Sequence, residues 1–178
     1  NVFAHAPDPN DFVGGLRALL KPDGWIVLEF PYGVEMVDKV EFDTIYHEHV
    51  FYFTLTPLLP LFARHHLEVF DVERSPIHGG TLRLFVGHQR AIEQSPRVRQ
   101  LLAQEKAGGV QSTGTYERFS RRAGKVRDDL IQFLSGQSRA GKRIAAYGAS
   151  AKGSTLLNYV GETAAVLEFI ADRSTYKQ

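Results

Sequence analysis

The sequence predicts an α/β protein in which two stretches of strand and helix flank a purely helical middle. Three observations carry that reading. A nearly continuous apolar run at 25–30 sits between two amphipathic helical patterns. From 90 to 140 apolar residues recur only at helical spacing, with no strand pattern. A small-residue turn at 148–153 then separates two further apolar runs, as in a fresh β-α-β unit. The chain has 178 residues, 43% hydrophobic and 23% charged, close to the globular norm, so disordered and fibrous classes drop out. Lys plus Arg is 21 and Asp plus Glu is 20, a formal charge of +1, which gives no global field for nucleic acid or an anionic membrane. Without cysteine, the chain has no disulfides, Cys-type zinc sites or thiol nucleophiles of its own. No apolar run approaches the ~18 residues of a membrane span, and no basic-then-apolar leader opens the sequence. A cytoplasmic protein is the expectation.

In chain order, Val2-Phe3 reads as the tail of a strand, with His5 just beyond it. The capping residues at 8–10 precede Phe12, Leu16, Leu19 and Leu20 at helical spacing, and Pro22-Asp23-Gly24 turns the chain. The run 25–30 suits a strand covered on both faces, as in a parallel sheet. A polar connection follows, with a short helix near 34–40. Leu58, Leu59, Phe62 and Ala63 mark a helix ending near His65-His66. Strands are expected at 67–72 and 81–86, paired antiparallel at a sheet edge across a loop ending in Gly79-Gly80. Tyr116, Phe119, Ala123, Val126, Leu130 and Phe133 form one stripe on a long helix, and 108–114 breaks it from a preceding one. The cations of 118–127 read as the solvated face of that helix. Strands at 143–147 and 167–171 flank a helix opening at Ser154. A chain that opens inside a strand and stops after an unpaired one is expected to be part of a longer protein.

Ligands of open α/β sheets bind beyond the carboxyl ends of the strands. His5 follows the first strand tail, and the connection leaving 25–30 leads to Tyr46-His47-Glu48-His49. Sequence order therefore puts His5 and that cluster on one rim. A neutral imidazole can take a proton at neutral pH, and a neighbouring carboxylate can orient it, so general base catalysis is the chemistry that fits. His47 and His49, with His5 or Glu48, form a rival metal set, but such short pairs are common by chance. Two further candidates bind anions. His78, Gly79, Gly80 and Arg83 could bring backbone amides and a guanidinium to a phosphate. Ser150, Lys152 and Gly153 lie in a turn between strand and helix, where amides and a cation favour an anion. That turn has neither the dinucleotide glycine spacing nor a Walker lysine.

Asn1-Val2-Phe3-Ala4-His5, Glu41 through Tyr46-His47-Glu48-His49, His78-Gly79-Gly80-Thr81-Leu82-Arg83 and Tyr147-Gly148-Ala149-Ser150-Ala151-Lys152-Gly153 occur in this order. Across essentially the whole chain the pattern resembles the S-adenosylmethionine-dependent sugar C-methyltransferases, which act on nucleotide-linked 4-keto deoxysugars. The resemblance implies the second half of a Rossmann-like methyltransferase domain at 1–88, a helical connection at 89–140, and the first β-α-β unit of a second Rossmann-like domain at 141–178. It implies S-adenosylmethionine as cofactor, with its glycine-rich loop mostly upstream of Asn1. Zinc is implied only in a segment upstream, and no metal within this chain. The implied partner is a nucleotide-linked sugar, with no nucleic acid and no membrane. His49 matches the family's base, and Tyr46, Glu48 and His5 match residues lining the same centre. Two other classes stay open at this point. One is a sugar-nucleotide dehydrogenase or a metal-dependent enzyme, with Asp172 as a ribose-binding acid or His47 and His49 as ligands. The other is a non-catalytic nucleotide-binding module.

Overall fold

The computed structural model describes residues 2–177. They form a mixed α/β fold in two compact units. One comprises the residues up to Glu41 with Glu48–Thr115; the other comprises Phe42–His47 and the residues from Tyr116 on.

In the first unit, α1 (Pro9–Leu19) starts where Asp8 accepts hydrogen bonds from the Asn10 and Asp11 amides, with Pro9 in its first turn. After the turn at Pro22-Asp23 come β1 (Trp25–Pro31), α2 (Gly33–Lys39), α3 (Leu55–Arg64), β2 (Leu67–Ser75), β3 (Thr81–His88) and α4 (Pro96–Gly108). The sheet order is β1-β3-β2, and β3 runs antiparallel to both neighbours. The expected antiparallel pairing of the last two strands is present. The expectation for 25–30 needs correction. This strand is not in a two-sided parallel environment: it pairs antiparallel with β3, and Trp25 and Val27 are 55% and 49% exposed. Its apolar residues divide between the faces, with Phe30 in the core and Trp25 packed edge-on against Phe70 on the other side.

The core lies on the inner face of the sheet. Leu82, Leu84 and Val86 of β3 alternate inward and are fully buried. On β2, Leu67 and Val69 alternate in the same way, and a bulge between Val69 and Asp71 returns Val72 to the inner face. Leu55, Leu58, Leu61 and Phe62 of α3 and Val13 of α1 pack against these. Val2-Phe3 is not a strand tail: Phe3–His5 is a 3-10 turn, closed by hydrogen bonds from the His5 amide to the Val2 oxygen and from Ala6 to Phe3. Phe3 is apolar because its ring enters the core, stacked on Phe53 at 4.4 Å and on Phe12 at 5.4 Å. Asn1 lies outside the described residues.

The second unit holds most of α5 (Thr113–Arg139), then β4 (Ile144–Tyr147), α6 (Ala151–Val160) and β5 (Leu167–Ala171). β4 and β5 pair parallel, giving the expected β-α-β unit. The helix starts earlier than expected, at Ala151, because Ser150 caps it by accepting the Gly153 amide at 3.0 Å. Lys152 and Gly153 therefore belong to its first turn rather than to a loop. On α5, Ala123 of the predicted stripe is buried and Phe133 is exposed, with the neighbouring Leu134 buried instead. The cationic stretch is threaded with ion pairs, Lys125 to Asp129 at 2.8 Å and Arg127 to Asp128 at 2.7 Å. It is the solvated face expected of an amphipathic helix.

Candidate functional site

In the first unit His5, Glu48 and His49 converge. The Ala4 carbonyl accepts hydrogen bonds from the Val50 and Phe51 amides, at 3.0 and 3.2 Å, which draws the segment after Glu48 onto the Phe3–His5 turn. His5 Nδ1 lies 2.6 Å from the Glu48 backbone oxygen. A carbonyl only accepts, so Nδ1 carries the proton there. In the neutral ring Nε2 is then an acceptor; in the imidazolium it is a charged donor. The His49 ring lies 5.0 Å from that of His5 and meets Tyr52 edge to face at 6.3 Å. Tyr46 and His47 belong to the second unit, in the segment Phe42–His47. There the Tyr46 amide donates to the Thr44 oxygen at 3.1 Å, and Phe42 packs against Tyr159 at 5.2 Å. Among the described residues, no three His, Asp or Glu side chains are grouped so that they could hold a metal ion.

The His78-Gly79-Gly80 turn has φ values of 54°, 91° and 137°, all in the left-handed range. A Cβ on Gly79 would come within 2.4 Å of a Glu41 carboxylate oxygen, and one on Gly80 within 2.6 Å of Glu35 Cγ. The Gly80 amide closes the turn onto Ile77, and the Gly80 oxygen accepts the Tyr32 amide at 3.0 Å. The close backbone approach anticipated for a phosphate is taken up by two glutamates of this chain. Arg83 faces outward in the middle of β3, directly opposite Glu29 of β1 and Glu73 of β2. Its guanidinium bonds Glu29 at 2.9 Å and Glu73 at 3.2 Å, and hydrogen bonds to Glu29 hold its pKa above the ordinary value. Cross-strand register explains this arginine without a phosphate.

Glu35 shows what the turn does electrostatically. Burial pushes its pKa up, but hydrogen bonds from Lys39, at 2.9 Å, and from Arg74 outweigh that and hold it below the ordinary carboxylate value. Asp71 is held low in the same sense: Arg97, Val72 and Ser95 hydrogen bonds outweigh burial. A carboxylate with a depressed folded-state pKa stabilises the fold fully above its unfolded value, and that stabilisation disappears as pH falls through the folded one. Thermal melting followed down the pH scale is therefore expected to show Tm falling below about pH 4.5, the ordinary glutamate value. Glu35→Gln should lower Tm at pH 7 and flatten that acid limb. An acid limb as steep in the variant as in wild type would remove Glu35 from this account.

In the second unit the turn after β4 is stitched to the end of β5. The Gly148 amide donates to the Ala171 oxygen at 2.7 Å, and Asp172 accepts from the Ala149 and Ser174 amides, each at 2.7 Å. The Ser174 and Ala149 hydrogen bonds hold the Asp172 carboxyl below the ordinary carboxylate range. Both its oxygens thus serve the turn. The Gly153 amide is used by the Ser150 cap, leaving the Ala151 and Lys152 amides, which the helix itself cannot satisfy.

One residue escaped the sequence reading. Glu105 is 1% exposed, and its carboxylate accepts from Tyr32 Oη at 2.8 Å, Leu55 N at 2.6 Å, Thr56 N at 2.8 Å and the Thr56 hydroxyl. A signal for it was present, because Val98, Leu101 and Glu105 share the helical spacing of a buried stripe.

Residues 76–178 match the family of C-methyltransferase C-terminal domains. The chain is also 40% identical over 177 residues to the C-methyltransferase NovU of Streptomyces niveus. That match covers 99% of this chain and 42% of NovU, so the chain spans about two fifths of the length of the curated relative it matches.

Proposed function

The chain belongs to the C-methyltransferase family, an enzyme family, and on that premise we propose that the full-length enzyme methylates carbon on a nucleotide-linked 4-keto deoxysugar, with His49 as general base. The observation that carries this reading is the pair of imidazoles 5.0 Å apart, one of them oriented by the Glu48 backbone. A C–H beside a ketone is acidic because its conjugate base is an enolate. His49, as the neutral ring, removes that proton. His5, anchored through Nδ1 on the Glu48 oxygen, is assigned to the developing enolate oxygen. The Glu48 carboxylate is suited to a sugar hydroxyl. Ser150, Lys152 and Gly153, at the N-terminus of α6, are assigned to the anionic diphosphate, with the Lys152 ammonium and the first-turn amides as its ligands. His78, Gly79, Gly80 and Arg83 are given a supporting role, since their amides and charge already have partners within the chain.

The methyl donor of the reading, S-adenosylmethionine, supplies when bound an electrophilic methyl group on a sulfonium. The resemblance assigns its glycine-rich loop mostly to a segment outside residues 1–178, and within them Gly79 and Gly80 are crowded by Glu41 and Glu35. Residues 1–178 alone are therefore expected to bind S-adenosylmethionine weakly or not at all. Isothermal calorimetry checks this, and tight stoichiometric heat would contradict it. Family membership favours group transfer over the dehydrogenase, metal-dependent and non-catalytic readings. The reading as a whole is tested by incubating the full-length enzyme with a 4-keto nucleotide-sugar and labelled donor; label must reach a carbon beside the ketone.

A further inference from the structure

We propose that Glu105 is a positioning residue for the His5–His49 centre, a tether from α4 that fixes where the His49 segment joins the sheet. The inference rests on the reading of His49 as the base. The path of that segment is defined by backbone bonds. After His49, the Val50 and Phe51 amides are held on Ala4; then the Phe53 oxygen accepts the Gly33 amide at 2.8 Å, and Phe53 bridges Tyr32 in parallel. Two residues on, the chain enters α3, whose N-cap Thr54 makes no side-chain cap bond. The first amides of that helix would be orphaned. Glu105 receives them from a different helix: Oε1 takes Leu55 N and the Tyr32 hydroxyl, and Oε2 takes the Thr56 amide and hydroxyl.

One carboxylate thus holds Tyr32, one partner of the bridge, together with Leu55 and Thr56, which follow closely on the other partner, Phe53. Burial, and after it the adjacent carboxylate, push the Tyr32 phenol far above its ordinary pKa, so it remains a donor. A carboxylate at a core position is costly unless its oxygens are satisfied, and here each accepts from two donors. Leucine would fill the Val98–Leu101 stripe more cheaply. It would leave unpaired the Tyr32 hydroxyl and the Leu55 and Thr56 amides, which open the helix that follows the His49 segment.

The test uses the full-length enzyme with Glu105→Gln and Tyr32→Phe. The glutamine amide nitrogen cannot accept, so one face of the tether is lost while shape is kept. Glu105→Gln is expected to lower kcat by about 10–100-fold with KM for the nucleotide-sugar near wild type, the signature of a misplaced reacting group. Solvent deuterium exchange beside the ketone should slow in proportion. Tyr32→Phe, which removes a single donor, should show the same split more weakly, and it decides the matter if the glutamine variant fails to fold. Amide hydrogen exchange provides a readout independent of the chemistry: Val50 and Phe51 should exchange at least about tenfold faster in Glu105→Gln than in wild type. Wild-type kcat in a folded variant, or unchanged exchange at Val50 and Phe51, overturns the tether. A wild-type enzyme that washes in no deuterium overturns the base reading instead, while faster amide exchange in the variant would still uphold the tether itself.

Discussion

His49→Asn in the full-length enzyme is expected to lower turnover by about 10²–10⁴-fold, the usual cost of losing a positioned general base. Asparagine keeps roughly the size and the hydrogen-bonding reach of the ring, so the segment through Val50 and Phe51 should stay on the Ala4 oxygen. What it cannot do is carry the proton away. Because the base acts in the transition state, nucleotide-sugar affinity should remain near wild type, and the loss should fall on kcat and kcat/KM together. Steady-state kinetics with calorimetric affinity separates these terms. A variant that loses affinity and keeps kcat would make His49 a binding residue.

Phe3→Ala is expected to cost about 3–5 kcal/mol of stability, the range for emptying a fully buried aromatic site. Its ring touches the rings of Phe12, Phe30, Phe53 and Phe62, so no single neighbour can close the cavity. The same substitution should reach the chemistry. Ala4, the next residue, holds Val50 and Phe51, and His5 follows it. Urea denaturation should show the stability loss as a shift of midpoint at constant slope, and activity below the midpoint should fall with it. A destabilisation under about 1 kcal/mol would mean that the ring is not the anchor of the His5 turn.

Local signals were readable in the sequence and long-range ones were not. The Asp8 cap, the break between α4 and α5 and the strand-turn-helix at 144–160 depend on neighbours in sequence, and the fold has them. The meeting of His5 with His49 was also anticipated, although its physical origin differs. A strand end was expected to deliver His5; a 3-10 turn does so, and it captures the His49 segment through the Ala4 carbonyl. The short apolar run at 25–30 could not reveal that one face of its strand stays partly exposed, because a continuous run looks the same on either face. Arg83 looked available for a phosphate until register set Glu29 and Glu73 opposite it. Glu105 carries no such local signal, because its neighbours in sequence are Gln104 and Lys106. Only its spacing from Val98 and Leu101 marks it as a core position.

The most direct test of the central claim is solvent deuterium exchange at the carbon beside the ketone, followed by NMR in the full-length enzyme without methyl donor. That assay isolates proton abstraction from methyl transfer. Wild-type enzyme is expected to wash deuterium into that carbon, and His49→Asn to leave it unlabelled over the same period. Exchange in His49→Asn as fast as in wild type would contradict the account and move the base to His5 or Glu48.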